Sequence, residues 1–128
     1  MNESAVRELL DRYISAWAAR DREAWLATFA EDATQEDPIG EGVRSGRAEI
    51  GSFWDRAIAS YDEVELRSRA VHIVGEEAAM EWTIVARDHE VWVVFDGVDT
   101  FTFEPGPLIS SVRAYWQREG RRRTTTRP

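Results

Sequence analysis

The apolar residues of this chain change period once. From Glu3 to Ala19 they recur at steps of three and four, so that Val6, Leu9, Leu10, Tyr13, Ile14 and Trp17 form the stripe of an amphipathic helix. Asp21 can cap a second, shorter helix through about Ala30 that carries Trp25, Leu26 and Phe29. A third, near Arg47 to Ser60, shows Ile50, Phe53, Trp54 and Ile58, with Ser45 and Gly46 just before it. From about Val64 onward the period is two. The stretches "VELRSRAVHIV", "AAMEWTIVAR", "EVWVVFDGVDTFTFE" and "LISSVRAYWQ" read as strands separated by "GEE", "DH" and "PGP", and a short strand at about residues 33 to 37 precedes the "DPIG" turn. Helices followed by strands predict an α+β layer fold, with three N-terminal helices packed in the concave face of a curved antiparallel sheet.

A chain of 128 residues, 43% hydrophobic, is long enough for one domain with a real core and one pocket. We read that domain as residues 1–117, followed by a basic, flexible tail at 118–128. The tail "REGRRRTTTRP" holds five of the sixteen arginines, and the chain has no lysine. A net charge of −8 argues against nucleic acid or an anionic membrane as partner. The N-terminus lacks a basic flank followed by an apolar run, and no stretch has the apolar length to span a bilayer, so a cytoplasmic location is expected. The absence of cysteine removes disulfides, thiolate nucleophiles and thiolate metal sites. His72 and His89 are far apart and belong to no ligand-spaced pattern, so no built-in metal is expected. Chemistry then falls to carboxylates, hydroxyls and indoles.

Two acids precede a proline in "QEDPIG". Pro38 biases Asp37 toward an extended conformation, in which the neighbouring side chains diverge and only one can face a given pocket. Glu36 is expected to be the solvated one. Along "VWVVFDGVDTFTF", alternation places Asp99 on one face with Val91, Val93, Phe95, Phe101 and Phe103, and Asp96 on the other, where solvation suffices. In that company Asp99 is either a neutral acid with a raised pKa, able to donate a hydrogen bond, or a structural acid satisfied by an arginine or backbone amides. Tyr13, on the first helix's apolar stripe, is either core filler or a second buried donor. If the two converge, they can hold one developing oxyanion, and Asp37 is available as the base.

These residues resemble a known family, the bacterial ketosteroid isomerases, small cone-shaped members of the nuclear-transport-factor-like, polyketide-cyclase-like superfamily. The likeness runs from Val6 to Gln117 and is densest in "DRYISAW", "FAEDATQEDPIGEGVRSGRAEIGSFW", "VDTFTF" and "VRAYW". The resemblance implies that Asp37 is the proton-shuttling base and that Tyr13 and Asp99 form the oxyanion hole. The implied reaction moves a β,γ double bond into conjugation with a 3-keto group of a steroid-like substrate, without a cofactor. By the same analogy Trp54, Met80, Trp82, Phe95, Val112 and Trp116 line an apolar substrate slot, and the protein is a homodimer paired through the outer faces of its sheets. The sequence departs from the family at Trp54, where a tyrosine usually donates to the oxyanion-hole tyrosine. An indole N–H donates but cannot accept, which shortens or alters the chain behind Tyr13, and Phe29 cannot extend it. The scaffold also carries hydrolases, dehydratases and cyclases, for which Arg44, Arg47 and His72 are the residues available, and non-catalytic ligand-binding modules.

Overall fold

The computed structural model describes residues 1–128, as α1 (Glu3–Ala19), α2 (Arg22–Leu26), β1 (Phe29–Glu36), β2 (Val43–Ser45), α3 (Gly46–Ala59), β3 (Glu63–Val74), β4 (Glu77–Asp88), β5 (Val91–Glu104), β6 (Leu108–Tyr115) and β7 (Arg122–Thr124), with one 3-10 turn at Arg118–Gly120. The Asn2 side chain caps α1 by accepting from the Ser4 and Ala5 amides at 2.8 and 3.3 Å. The helix stops at Arg20, in the left-handed region at φ 54°. The Arg20 guanidinium donates to the carbonyls of Ile58, Tyr61 and Asp62 at 3.1–3.3 Å, which ties the end of α1 to the end of α3.

The strands lie in the order β2-β1-β6-β5-β4-β3, and the helices bury their apolar stripes on one face of this sheet. β3, β4 and β5 are long antiparallel neighbours, and slips of register between Ser68 and Ala70 and between Thr102 and Phe103 bend them. The curvature lets one sheet enclose α1 and α3, leaving a hollow between helix and strand.

The structure differs from the sequence reading in four places. The second helix ends at Leu26, and Phe29 begins β1, so the strand spans 29–36 and not 33–37. The cause lies at buried Thr28, whose hydroxyl donates to the Trp25 carbonyl at 2.6 Å while its own carbonyl accepts from the Ile109 amide at 2.8 Å, drawing the chain onto β6. β1 runs parallel to β6, in register Gln35 with Val112, so the sheet is mixed and not wholly antiparallel. Glu36 is not simply solvated: its carboxylate accepts from the Gly40 amide at 3.0 Å and pairs with Arg113 at 3.3 Å, on the side away from the hollow.

The fourth difference is the tail. Expected to be flexible, it forms β7 and pairs with β5 through Trp92–Thr124, Val93–Arg123 and Val94–Arg122. β6 pairs with β5 only from Val98 onward, and β7 takes the edge that this leaves open. Trp92 and Val94 point away from the helices and make a small second cluster with Val85, over which the Arg127 guanidinium lies 4.5 Å from the Trp92 ring. No helix is long and apolar enough to cross a membrane.

Candidate active site

Between α1, α3 and the concave face of the sheet lies a cavity of about 300 Å³. Trp17, Phe53, Val64, Leu66, Ile84 and Phe95 supply its apolar walls. Tyr13 and Asp37 both line it.

Asp37 follows directly on β1, at an Asp37–Pro38 peptide that is cis, and is half-buried. The Trp116 indole N–H donates to its Oδ1 at 2.7 Å and orients the carboxylate. Burial raises its pKa to about 6, opposed by that hydrogen bond and by the charges of Arg44 and Arg118. At neutral pH the group is therefore an ionised base whose conjugate acid is within reach, the condition a proton shuttle needs.

Tyr13 is 3% exposed and is enclosed by aromatic rings: Phe101 meets it edge-on at 5.3 Å and 89°, with Trp25 at 5.8 Å and Phe29 at 6.0 Å. Its hydroxyl lies 3.4 Å from Asp99 Oδ2, on β5. Asp99 is 4% exposed and stands behind Tyr13 without lining the cavity. Burial holds the Asp99 pKa well above the usual carboxylate range, and the charge of Asp37 pushes it the same way. The Trp82 indole is near enough to oppose that rise without meeting the geometry of a full hydrogen bond. No arginine or backbone amide satisfies Asp99, so the reading of it as an acid held by such groups finds no support; its hydrogen-bond partner is the Tyr13 phenol, and burial favours its neutral form. Burial raises Tyr13 as well, with the neighbouring Asp99 and Asp37 carboxyl groups acting in the same direction, so its proton also stays in place. At 3.4 Å the contact is long for an O–H···O bond, which leaves both hydroxyl groups only weakly engaged.

Of the residues expected to line the slot, Phe95 and Trp116 do so. Trp54, Met80, Trp82 and Val112 do not; each is at most 2% exposed and belongs to the packed core. Trp54 stacks on Trp17 at 4.2 Å and makes no hydrogen bond to Tyr13, whose only polar partner is Asp99. Arg44 lines the cavity, but Arg47 is spent on the Phe29 carbonyl and His72 is exposed beside Glu81. Ile84 shares the strand alternation of Met80 and Trp82 and was recoverable from it. Tyr61 and the cationic side chains of Arg56, Arg118 and Arg121 left no sequence signal, because they reach the cavity from a loop, a helix end and the tail.

Gly97 makes this packing possible. It stands opposite Trp82 across β4 and β5, and a Cβ there would fall 2.5 Å from the Trp82 ring and 2.8 Å from the Tyr115 carbonyl.

The SnoaL-like domain model matches residues 10–112. The chain belongs to the SnoaL-like family. A steroid Δ-isomerase of Nocardioides simplex is 32% identical over 111 residues, covering 87% of this chain and 89% of that protein. Among solved structures, the Δ5-3-ketosteroid isomerase of a Mycobacterium species superposes with a TM-score of 0.82 at 25% identity, over 93% of this chain and 98% of that one. SalBIII, an epoxide hydrolase/cyclase-like enzyme of pyran ring formation in the polyether salinomycin, gives 0.85 at 25% identity, over 94% and 96%. Isomerases and cyclase-like enzymes thus share the SnoaL-like scaffold seen here, and the resemblance to ketosteroid isomerases extends from sequence to fold.

Replacing Gly97 by Ala is expected to displace the Trp82 indole from beside Asp99 at an overpacking cost of about 1–3 kcal/mol. Urea denaturation measures it, and a variant as stable as the parent would show that Trp82 can move without loss.

Proposed function

We propose that this SnoaL-like protein is a cofactor-independent isomerase that moves a β,γ double bond into conjugation with the 3-keto group of a steroid-like substrate. The observation that carries the proposal is the meeting of Asp37, with a pKa raised to about 6, and Tyr13 on one apolar cavity, with Asp99 buried directly behind Tyr13. The named activities of the Nocardioides simplex relative and the Mycobacterium structure support it.

In this reaction Asp37 takes a proton from the carbon between ketone and alkene, and the electron pair left behind delocalises onto the ketone oxygen as a dienolate. Tyr13 donates to that oxygen from the cavity wall, and Asp99, which stands behind it, becomes the second donor as their loose mutual contact gives way. Asp37 then returns the proton two carbons further along, and the enone is conjugated. No electrons leave the substrate and no group is transferred, so the two protonation states of Asp37 complete the cycle. One ionised and one protonated aspartate in a single cavity is the known pattern of ketosteroid isomerases and is carried over to Asp37 and Asp99 on that resemblance. The apolar walls serve the same end, because a donor aimed at developing charge acts more strongly where water is excluded. Trp116 would keep the Asp37 carboxylate in one orientation through both proton transfers.

A second reading is favoured by Arg44, which lines the cavity and donates to the Asp37 carbonyl at 3.4 Å. A carboxylate with an adjacent guanidinium can activate water toward an epoxide, the kind of chemistry named for SalBIII. Epoxide opening with no enone formed would decide for it.

With 5-androstene-3,17-dione, conjugated-enone absorbance is expected to rise in the presence of the protein. Asp37→Asn should lower kcat by about 10²–10⁴-fold and Tyr13→Phe by roughly 10²–10³-fold, while Glu36→Gln stays within about threefold. Undiminished turnover in the Asp37 variant would sink the mechanism.

The pH profile has a fixed sign. Asp37 must be ionised to act, so kcat/KM should climb about tenfold per pH unit below its pKa and level off above about 6. Burial raises both Tyr13 and Asp99, which moves loss of the donors' protons toward higher pH, so any falling limb should lie on the alkaline side of the rise. A profile flat from pH 4 to 8 would exclude Asp37 as the base.

By the same resemblance we infer a homodimer paired through the outer sheet faces. Light scattering should give twice the 14.7 kDa chain mass, and a monomer at micromolar concentration would refute it.

A further inference from the structure

The cavity has two chemically different ends. At the closed end Tyr13 is nearly dehydrated, at 3% exposure among aromatic rings, with Asp99 behind it at 4%. At the open end four guanidinium groups converge from separate parts of the chain: Arg44 of β2, Arg56 of α3, and Arg118 and Arg121 beyond β6. Asp37 is the only carboxylate that lines the cavity with them.

Most of that positive charge is unpaired. Arg118 is committed, with Nε donating to Glu41 at 2.6 Å. Arg44 lies over the Phe53 ring at 4.7 Å and donates to a backbone carbonyl, as does Arg121, to Arg118 at 3.0 Å. Arg56 is exposed, and its guanidinium forms neither an ion pair nor a hydrogen bond. Arg44 and Arg56 are close enough that, after burial, the Arg56 charge is the next influence lowering the Arg44 pKa. Like charges held together oppose folding, and although Asp37, Glu41 and Glu49 offset part of the charge on Arg44, no carboxylate pairs with Arg56 or Arg121. An anion supplied by a ligand would relieve that repulsion.

We propose that the ligand of this cavity carries a carboxylate at the end remote from its ketone, received by Arg44, Arg56 and Arg121 at the opening. This rests on the isomerase reading only for which end of the ligand is buried. A volume of about 300 Å³ is at the lower limit of small-molecule pockets, so a fused-ring body fills it and leaves its far substituent at the opening. The guanidinium fork matches a carboxylate in a paired, planar geometry. An apolar slot ended by arginines thus selects an amphipathic ketone acid over a neutral ketone of the same skeleton.

The test uses 3-oxo-4-androstene-17β-carboxylic acid and its methyl ester, which share rings and ketone and differ in the charge. Titrated calorimetrically into the whole protein in low salt, the acid is expected to bind about tenfold more tightly than the ester. That preference should shrink to within about threefold at roughly 0.5 M salt, where exposed charges are screened. It should shrink likewise in the double variant Arg56→Gln, Arg121→Gln, with circular dichroism and ester binding reporting that the variant is folded. Equal binding of acid and ester by the parent protein overturns this inference and leaves the isomerase reading standing. A preference that persists in the double variant overturns the assignment to these arginines. If neither compound binds, both the inference and the reading beneath it fall.

Discussion

Asp37 at the cavity and Asp99 sealed behind Tyr13 are close enough to feel each other's charge, and the rest of the site follows from the cost of ionising both. Removing a carboxylate from water is expensive, and a second charge nearby adds to the expense. Asp37 keeps one side open to the cavity and accepts a 2.7 Å hydrogen bond from Trp116, so it ionises within the physiological range. For Asp99 the opposing contacts, from Trp82 and the long bond from Tyr13, are weaker than the burial. This acid is enclosed by the core and meets the charge of Asp37, both of which push its pKa up, and it lies beside Tyr13. The difference between the two acids lies in solvent access and partners, since their intrinsic chemistry is the same.

The fold sustains that asymmetry through its curvature. A sheet bent by register slips in β3–β4 and β5–β6 wraps α1 and α3, so that a residue in the middle of β5 is sealed while one just past the end of β1 remains at the hollow. Trp82 depends on the missing side chain at Gly97 for its place, and its indole in turn packs edge-on against Phe95 at 5.8 Å. Trp54, where the sequence reading expects a departure from the ketosteroid isomerases, packs tilted against Trp17 and Trp25 and offers Tyr13 no hydrogen bond. Tyr13 therefore has Asp99 as its sole polar support, which concentrates the electrostatics of the closed end in one contact.

The sequence reading reached α1, α3 and the four long strands because their apolar periods are sustained over many residues. It misjudged the segment from Trp25 to Glu36, where Thr28 turns the chain by contacts to Trp25 and to distant Ile109. It also left the tail unpaired, since nothing in "RRRTTTRP" announces that β5 has an open edge to fill. Among the slot residues, alternation grouped Met80 with Trp82 and Val112 with Trp116 correctly, but a face directed toward the helices contains both core and cavity. Only the depth of each side chain separates Phe95 and Trp116 from Trp54, Met80, Trp82 and Val112.

By itself the sequence determined the helix-then-strand architecture, the separation of Glu36 from Asp37, and the placement of Asp99 on an apolar face. Each follows from local periodicity or from the restriction that Pro38 places on its neighbour, both properties of adjacent residues. Tertiary structure alone decided that Tyr13 meets Asp99, that Trp116 holds Asp37, and that arginines from β2, α3 and the tail gather at one opening. Those contacts join residues up to 86 positions apart in the chain, and their energies depend on distance and burial in space, which no short stretch of sequence contains.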